Sequence, residues 1–285
     1  MSAEIIYGSE LAQKMRDEMK EEVTALKEKN IVPGLVVILI GEDPASMSYV
    51  KGKQKASDYV GVDSELITLP EKTTQEELLE LIDQLNNKSS VNGILVQLPL
   101  PDHIYEQAII EAISPEKDVD GFHPVNIGRM MTGKDTFYPC TPYGIIKILQ
   151  SKSIEIEGKH AVIIGRSNIV GKPVGQLLLN ENATVTYCHS RTKDMRSYIK
   201  NADILIVAVG REHFITGEDI KEGAIVIDVG VNRTSEGTLT GDVEFDSAKE
   251  IASYITPVPK GVGPMTITML LHNTIKSAKK ANNLL

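Results

Sequence analysis

The stretch IGRSNIVGKP, residues 164–173, follows an apolar run and leads into a helical pattern. Where a strand hands over to a helix, backbone N–H groups and the helix dipole can hold a phosphate. The stretch is not a P-loop, because five residues separate Gly165 from Gly171 instead of four, and Pro173 replaces the magnesium-binding Ser or Thr. It is not a G-x-G-x-x-G loop either, since the second glycine of that motif is missing. A nucleotide-binding turn is one interpretation, and a strand–helix turn without a ligand is the other.

The residues after the second strand of this region indicate which nucleotide such a turn would bind. An NAD site carries an Asp or Glu about 20 residues after its glycines, and that acid binds the ribose hydroxyls. Here the strand ends in CHSRT, residues 188–192, which contains no acid. The hydroxyl of Ser190, with basic side chains beside it and Arg166, suits the 2′-phosphate of NADP. The alternative is that His189 and Arg191 only cover the edge of the sheet.

Strands and helices alternate around this turn. A helix is predicted over Val170–Asn182. The predicted strands are Ala161–Ile164, Thr184–Cys188, Ile204–Val209 and Ala224–Val229. This alternation predicts a Rossmann-like, doubly wound parallel sheet.

The preceding part of the chain predicts another α/β unit. Its predicted strands are Leu35–Ile40, Ser64–Leu69 and Gly93–Leu98. The first of them is apolar throughout, which is typical of a parallel strand buried on both faces. Asp43-Pro44 predicts the start of one helix, and Thr74 with Glu77 has the capping-box spacing for another. Residues 114–142 are rich in Gly and Pro and predict a loop-rich connection.

The composition is that of an ordinary globular protein. The 285 residues are 41% hydrophobic and 24% charged, which excludes a wholly disordered or fibrous chain and suits about two domains. Lys and Arg number 30 against 39 Asp and Glu, so the net charge of −9 does not indicate a nucleic-acid binder. No apolar run approaches the ~18 residues of a membrane span, and no secretory signal is visible. The 2 cysteines, and 6 histidines without ligand spacing, predict no disulfides and no metal in a cytoplasmic setting.

Four side chains of the first unit are candidates for chemistry. Tyr49 and Lys53 are spaced i, i+4 on a predicted helix and so share a face. Gln97 lies near the carboxyl end of a predicted strand, the edge at which open α/β sheets place their ligands. Asp120 follows in a loop flanked by Gly and Pro. Taken singly, each residue type favours a structural role over a catalytic one.

Together, these residues belong to a series of motifs that runs along nearly the whole chain in a fixed order. The motifs are EDPAS (42–46) with Tyr49 and Lys53, VQLPLP (96–101), KDVDGF (117–122), PCTP (139–142), GRS (165–167) and GPMT (263–266). The sequence closely resembles the bifunctional methylenetetrahydrofolate dehydrogenase/methenyltetrahydrofolate cyclohydrolase family.

The resemblance implies two α/β domains with the active site in the cleft between them. A folate-binding catalytic domain would comprise residues 1–138 and 270–285, and an NADP-binding Rossmann-like domain would comprise residues 139–269. Members of the family are usually homodimers that act on tetrahydrofolate derivatives with NADP as cofactor. Their place is one-carbon metabolism, and through it purine, histidine and methionine biosynthesis.

Carried over position by position, the functional residues of the family form three groups. The catalytic group is Lys53, Tyr49, Gln97 and Asp120. The substrate contacts are Tyr49, Val96, Gln97, Leu98, Asp120, Pro257, Val258, Pro259, Lys260 and Gly261. The NADP contacts are Gly165, Arg166, Ser167, Ser190 and Val231. Lys260 departs from the family, which usually has glycine there, and this bears on the loop shape and on folate affinity.

The resemblance also implies the reaction. A hydride leaves the methylene carbon for NADP, and water then opens the methenyl cation to formyltetrahydrofolate. The second step needs proton transfer, for which Lys53 is the candidate, since burial and a cationic substrate both lower a lysine pKa. Two other classes stay open: a phosphate-hydrolysing nucleotide switch, which the missing P-loop disfavours, and a non-catalytic nucleotide-binding module.

Overall fold

The structure is a computed structural model that describes residues 2–285, and the chain divides into two compact units. Lys14–Cys140 and Ile267–Leu285 form what we call the three-stranded unit, after its sheet. The residues up to Gln13 and Thr141–Thr266 form the six-stranded unit.

The strands are β1 (Glu4–Ile5), β2 (Gly34–Ile40), β3 (Asp63–Leu69), β4 (Gly93–Val96), β5 (His160–Ile164), β6 (Thr184–Cys188), β7 (Ile204–Val207), β8 (Ile225–Asp228), β9 (Asn232–Arg233), β10 (Leu239–Thr240) and β11 (Tyr254–Ile255). The helices are α1 (Gly8–Glu28), α2 (Pro44–Val60), α3 (Gln75–Asn87), α4 (Glu106–Ala112), α5 (Pro124–Met131), α6 (Cys140–Ser151), α7 (Gly171–Asn180), α8 (Met195–Ile199), α9 (Phe245–Ala248) and α10 (Val262–Ala281).

The sheet of the three-stranded unit has the order β3-β2-β4, with all strands parallel. Every residue of β2 is buried, as its apolar run predicts. Asp43 caps α2 by accepting a hydrogen bond from the Ser46 amide at 2.7 Å, and Thr74 with Glu77 forms the predicted capping box of α3. The Asp43 cap fixes where α2, the helix that carries Lys53, begins, and the capping box fixes the start of α3.

The sheet of the six-stranded unit has the order β1-β11-β8-β7-β5-β6 and is entirely parallel. Its core lies between the apolar faces of the strands and the covering helices, and includes Val162, Leu205 and Val226. The predicted α/β class with a doubly wound parallel sheet is confirmed. The central strands were predictable because each is a continuous apolar run between polar loops.

Several short elements were not predicted from the sequence, among them α4, α8, α9, β9 and β10, and three others change the organisation of the chain. The predicted loop-rich connection at 114–142 contains α5, which Pro124 starts at its first turn and which the His123 side chain caps. The short strands β1 and β11 were not predicted, because two residues carry no periodicity. Their pairing, Glu4 with Tyr254, places the residues up to Gln13 in the six-stranded unit, whereas the predicted boundary had placed them in the folate domain.

Candidate active site

Lys53 lies on α2 with its ammonium group turned inward. Only 8% of its surface is exposed, and its Nζ donates a hydrogen bond to Gln97 Oε1 at 2.8 Å. The Gln97 amide is oriented in turn, because its Nε2 donates to the Leu98 carbonyl at 2.7 Å. The lysine is therefore held by an amide oxygen that carries no charge.

Burial lowers the pKa of Lys53 below its ordinary value of 10.5. The charge of Asp120 acts in the opposite direction and raises it. Burial has the larger effect because taking an ammonium group out of water disfavours its charged form. The neutral amine, which is the form able to accept a proton, is thus easier to reach than in a surface lysine.

Asp120 is the acidic neighbour of this lysine. Burial raises its pKa to about 6, and the charge of Lys53 counteracts that rise. Asp118 raises the Asp120 pKa further, while a hydrogen bond with Cys140 lowers it. At neutral pH Asp120 is therefore mostly ionised and able to accept hydrogen bonds.

The loop that carries Asp120 is held by residues that the sequence reasoning missed. Asp118 is buried and accepts hydrogen bonds from the amides of Gly121, Phe122 and His123 and from the Asn126 side chain. An Asp three residues before a glycine is a common turn signal, and it was the one available in the sequence.

Asn273, on α10, links this loop to the segment before α6. Its Nδ2 donates to the Val119 carbonyl at 2.8 Å and to the Tyr138 carbonyl at 3.0 Å. No local pattern could identify it, because its partners lie more than a hundred residues earlier in the chain.

Both cysteines are free and buried, as predicted. Burial raises the pKa of the Cys140 thiol well above its ordinary value of 9.0, and the charge of Asp120 raises it further. A thiol with a raised pKa is a poor nucleophile near neutral pH. Cys140 therefore packs beside Asp120 as a neutral group.

The other predicted residues of this unit adjoin Lys53 along α2 or border the same recess as Asp120. Tyr49 precedes Lys53 by one helical turn and is 44% exposed. Val96 and Leu98 line a small, mostly apolar recess that also borders Asp120 and Phe122. The carboxylates of Asp118 and Asp120 both border this recess.

The glycine turn of the six-stranded unit lies between β5 and α7. Gly165 has a φ of +129°, and a Cβ there would lie 2.3 Å from the Ala208 carbonyl oxygen, so only glycine fits. Ser167 stabilises the turn, because its Oγ accepts hydrogen bonds from the amides of Val170 and Gly171, each at 3.2 Å. Arg166 is exposed and leaves the turn available to a ligand.

The end of β6 is also open to solvent. Ser190 and Arg191 are exposed, and His189 Nδ1 accepts a hydrogen bond from the Arg191 amide at 3.2 Å. Val231, the remaining predicted NADP contact, is 47% exposed between β8 and β9. This combination of hydroxyl and guanidinium groups fits a phosphate-bearing nucleotide, although the sheet-edge interpretation predicts exposure as well.

The predicted folate contacts Pro257, Val258, Pro259, Lys260 and Gly261 belong to the six-stranded unit, whereas Lys53 and Asp120 belong to the three-stranded one. Lys260 has a φ of +79°, in the left-handed region that glycine favours. The usual glycine of the family thus has a structural reason, and lysine accepts the strained conformation here. The loop is held at Lys260, whose carbonyl accepts a hydrogen bond from the Ser9 amide at 3.0 Å.

Residues 2–285 contain neither a metal-binding cluster nor a membrane-spanning helix. No group of His, Cys, Asp and Glu side chains in that range is arranged to hold a metal ion. No helix within it is long and apolar enough to cross a membrane.

A parallel sheet with an open glycine turn, in a chain that also buries a lysine beside a carboxylate, defines a nucleotide-dependent α/β enzyme. The comparisons with known proteins narrow this class. Residues 6–120 match the family model of the tetrahydrofolate dehydrogenase/cyclohydrolase catalytic domain, and residues 139–282 match that of its NAD(P)-binding domain. The chain belongs to the tetrahydrofolate dehydrogenase/cyclohydrolase family.

Individual relatives agree with this assignment. The Bifunctional protein FolD of Bacillus anthracis is 67% identical over 281 residues, which cover 99% of this chain and 98% of that one. The bifunctional FolD structure from Campylobacter jejuni has a TM-score of 0.97 at 51% identity, over 98% of this chain and 99% of that one. A Trypanosoma brucei FolD structure, complexed with NADP and an inhibitor, has a TM-score of 0.95 at 40% identity and covers 99% of both chains.

Proposed function

We propose that this chain oxidises methylenetetrahydrofolate to methenyltetrahydrofolate with NADP and then hydrolyses the product to formyltetrahydrofolate, with Lys53 as the proton-transfer residue. The observation that carries the proposal is the buried Lys53 amine, hydrogen-bonded to Gln97 and facing the charge of Asp120, in a chain that matches both domains of the family. Neither a phosphate-hydrolysing switch nor a simple nucleotide-binding module has a use for such a lysine.

The oxidation makes modest demands on the protein. The folate nitrogens donate electron density as the methenyl cation forms, so the chain mainly aligns the substrate and excludes water. By resemblance to the family, Asp120 would accept hydrogen bonds from the pterin, and Val96 and Leu98 would contact the substrate. NADP, when bound, supplies the hydride acceptor.

The hydrolysis makes stronger demands, because a proton must leave the attacking water and another must reach a ring nitrogen. Lys53 is the group suited to both transfers, since burial lowers its pKa. A bound methenyl cation lowers that pKa further, because like charges disfavour the protonated amine. Tyr49 would orient the substrate or relay a proton, and Gln97 holds the amine in place.

The NADP site that we propose uses Gly165, Arg166, Ser167, Ser190 and Val231. Gly165 permits the tight turn after β5, where the start of α7 follows and a pyrophosphate would bind. Arg166 and Ser190, both exposed, would bind the 2′-phosphate.

One assay tests the proposed function as a whole. Methenyltetrahydrofolate absorbs light, so its formation is followed with NADP and with NAD, and its decay is then followed in the same cuvette. We expect formation with NADP and enzyme-dependent decay. Magnesium-dependent ATP turnover without either signal would instead identify a nucleotide switch.

The pH dependence of the hydrolysis tests the role of Lys53 through its partner. Gln97→Glu places a carboxylate at the position of the oxygen now 2.8 Å from Nζ. An opposite charge at that distance raises a lysine pKa by about 1–3 units. Because the neutral amine is the active form, the rising limb of the kcat–pH profile should move upward by about one unit or more, with a lower rate at pH 7.

Gln97→Met is the matched control, since it removes the amide without adding a charge. The rising limb of the kcat–pH profile of Gln97→Met should not move to higher pH, even if the rate of this variant falls. If the pH profile of Gln97→Glu is the same as that of the unaltered enzyme, Lys53 is not the proton-transfer residue.

The strained Lys260 supplies a test of folate binding. A cation in this loop would attract the anionic glutamate tail of the folate, so Lys260→Gly should raise the folate KM by about two- to fivefold at low salt and less at high salt. Lys260→Ala separates charge from strain, because it loses the cation but keeps a Cβ at φ +79°. Folate constants that stay unchanged in both variants at every salt concentration would make Lys260 a tolerated surface residue.

The resemblance to this family also supports a proposal on the oligomeric state and one on the location in the cell. We infer a homodimer, to be tested by sedimentation equilibrium, and a cytoplasmic location, to be tested by cell fractionation. The net charge of −9 agrees with a chain that needs neither nucleic acid nor a membrane surface as partner.

A further inference from the structure

The carboxyl edge of the six-stranded sheet contains a topological switch point. From β5 the chain moves outward to β6 and then returns to β7, on the other side of β5. Open α/β sheets bind ligands in the crevice at such a point. Two loops flank it, namely residues 165–170 after β5 and residues 208–212 after β7, and a third loop at 229–231 follows the adjacent strand β8.

The Asp242 side chain binds the loop after β7 and the first residue of β9. Its side chain is fully buried, and its Oδ2 accepts hydrogen bonds from the amides of Val209 at 2.7 Å and Gly210 at 3.0 Å. Its Oδ1 accepts from the Arg211 amide and from the Asn232 Nδ2, both at 2.8 Å. One carboxylate thus joins the loop after β7 to the end of the loop after β8.

Asp228, the last residue of β8, binds the backbone on both sides of this contact, in the loop after β8 and at Asp242 itself. It accepts hydrogen bonds from the amides of Gly230 at 2.9 Å, Asp242 at 3.0 Å and Val243 at 2.9 Å. Burial raises its pKa to about 7, and these amides act in the opposite direction by stabilising the ionised form. The two aspartates are therefore linked through the Asp242 backbone.

Two glycines make room for the carboxylates. A Cβ at Gly230 would lie 2.2 Å from the Asp242 carboxyl carbon, and a Cβ at Gly241 would lie 1.8 Å from Asp228 Oδ2. Both distances are far below van der Waals contact. A side chain at either position would collide with these carboxylates, so the backbone passes close to them only because both residues are glycine.

Val231 lies between the two attachment points. Its neighbour Gly230 is bound to Asp228 and its neighbour Asn232 is bound to Asp242, while its own side chain is exposed. The hydrogen bonds of Asp242 occupy both its oxygens, so this carboxylate is engaged with the protein and not available as a ligand.

We propose that Asp242, assisted by Asp228, is a positioning residue for NADP: it fixes residues 209–211 and the two neighbours of Val231 at the switch point and thereby sets the affinity for the cofactor. The inference rests on the proposed NADP site. Loops that are ordered before binding do not pay an ordering cost when the ligand arrives, so loss of the clamp should weaken NADP binding. The hydrolysis of methenyltetrahydrofolate uses no NADP, so that activity should survive.

Asp242→Asn tests this separation. An amide nitrogen cannot accept the hydrogen bonds that one carboxylate oxygen now receives, so two of the four donors lose their partner. We expect the NADP KM and the NADP Kd from titration calorimetry to rise by roughly tenfold, as for a lost buried hydrogen bond to a charged group. Cyclohydrolase turnover, measured on methenyltetrahydrofolate without NADP, should stay within about twofold of the unaltered enzyme. That reaction does not require NADP to bind to these loops.

Asp219→Asn is the matched control. Asp219 is also buried in this unit, but its partners, the Thr216 amide and hydroxyl and the Arg196 guanidinium, lie outside residues 165–170, 208–212 and 229–232. It should lower the thermal midpoint without changing NADP affinity. If Asp242→Asn does not fold, Asn232→Ala decides, because it removes a single bond to Asp242 and should still raise the NADP Kd by about threefold.

The outcomes distinguish this inference from the function on which it rests. An unchanged NADP Kd in Asp242→Asn or, failing that, in Asn232→Ala overturns the positioning role, and so does an equal loss of both activities. If Arg166→Ala binds NADP as tightly as the unaltered enzyme, the proposed cofactor site is wrong. If Arg166→Ala loses NADP while Asp242→Asn retains it, only the positioning role fails.

Discussion

Replacement of Lys53 by methionine is expected to lower cyclohydrolase turnover by ~10²–10⁴, the loss typical of a missing general acid–base group. Methionine keeps about the same length and suits a site in which only 8% of the lysine is exposed. It removes the titratable amine and leaves Gln97 Oε1 without its donor. Hydride transfer requires no proton from Lys53, so dehydrogenase turnover should fall much less, through displacement of the folate.

The two rates are measured on one preparation by following methenyltetrahydrofolate. In the coupled assay the intermediate should accumulate in Lys53→Met, because it is still formed but no longer consumed. Lys55→Met is the matched control, since Lys55 lies on the same helix and is exposed, and it should keep both activities. Full cyclohydrolase turnover in Lys53→Met at saturating substrate would contradict the proton-transfer role, and a parallel loss of both activities through KM would make Lys53 a binding residue only.

The sheets were the most predictable part of this protein. Gly34–Ile40 and Ile204–Val207 are continuous apolar runs, and burial of both faces requires such runs in parallel strands. The caps at Asp43 and Thr74 were predictable too, because a cap is a contact between residues three apart. Local chemistry therefore gave the class of fold and the beginning of the helix that carries Lys53.

What escaped prediction depends on contacts between distant parts of the chain. Glu4–Ile5 becomes a strand only because Tyr254–Ile255 lies beside it, and neither segment has a pattern of its own. Asn273 and Asp242 are ordinary polar residues in the sequence, and only the folded chain shows which carbonyls and amides they bind.

The members of the candidate site were predictable, and so was the lowering of the Lys53 pKa by burial, but the opposing effect of Asp120 was not. The family resemblance identified Lys53, Gln97 and Asp120, and the structure brings Lys53 to 2.8 Å from Gln97. The effect of the Asp120 charge on the Lys53 pKa, which opposes that of burial, arises from the fold and has no trace in the spacing of the residues. Asp118, which fixes the Asp120 loop, looked like one more acid in an acidic segment.

Replacement of Arg166 by alanine is expected to raise the NADP KM by about 10²-fold, while the much weaker use of NAD changes little, because a guanidinium–phosphate pair is among the stronger charge-assisted contacts. The arginine is exposed at the turn after β5, so its loss should not disturb the fold. The measurement is the ratio of kcat/KM for NADP and NAD in the dehydrogenase assay, and the expected result is a collapse of that ratio.

Arg191→Ala is the informative companion to Arg166→Ala. Both arginines are exposed near the carboxyl ends of neighbouring strands, and the sheet-edge interpretation treats the residues after β6 as mere cover. If the 2′-phosphate is held by Arg166 with Ser190, Arg191→Ala should leave the NADP preference almost intact. The Arg166 guanidinium alone can form a bidentate pair with the phosphate. An equal loss with NADP and NAD in Arg166→Ala would mean that Arg166 holds a part that both cofactors share, such as the pyrophosphate. A loss of preference in Arg191→Ala alone would move the 2′-phosphate to the end of β6.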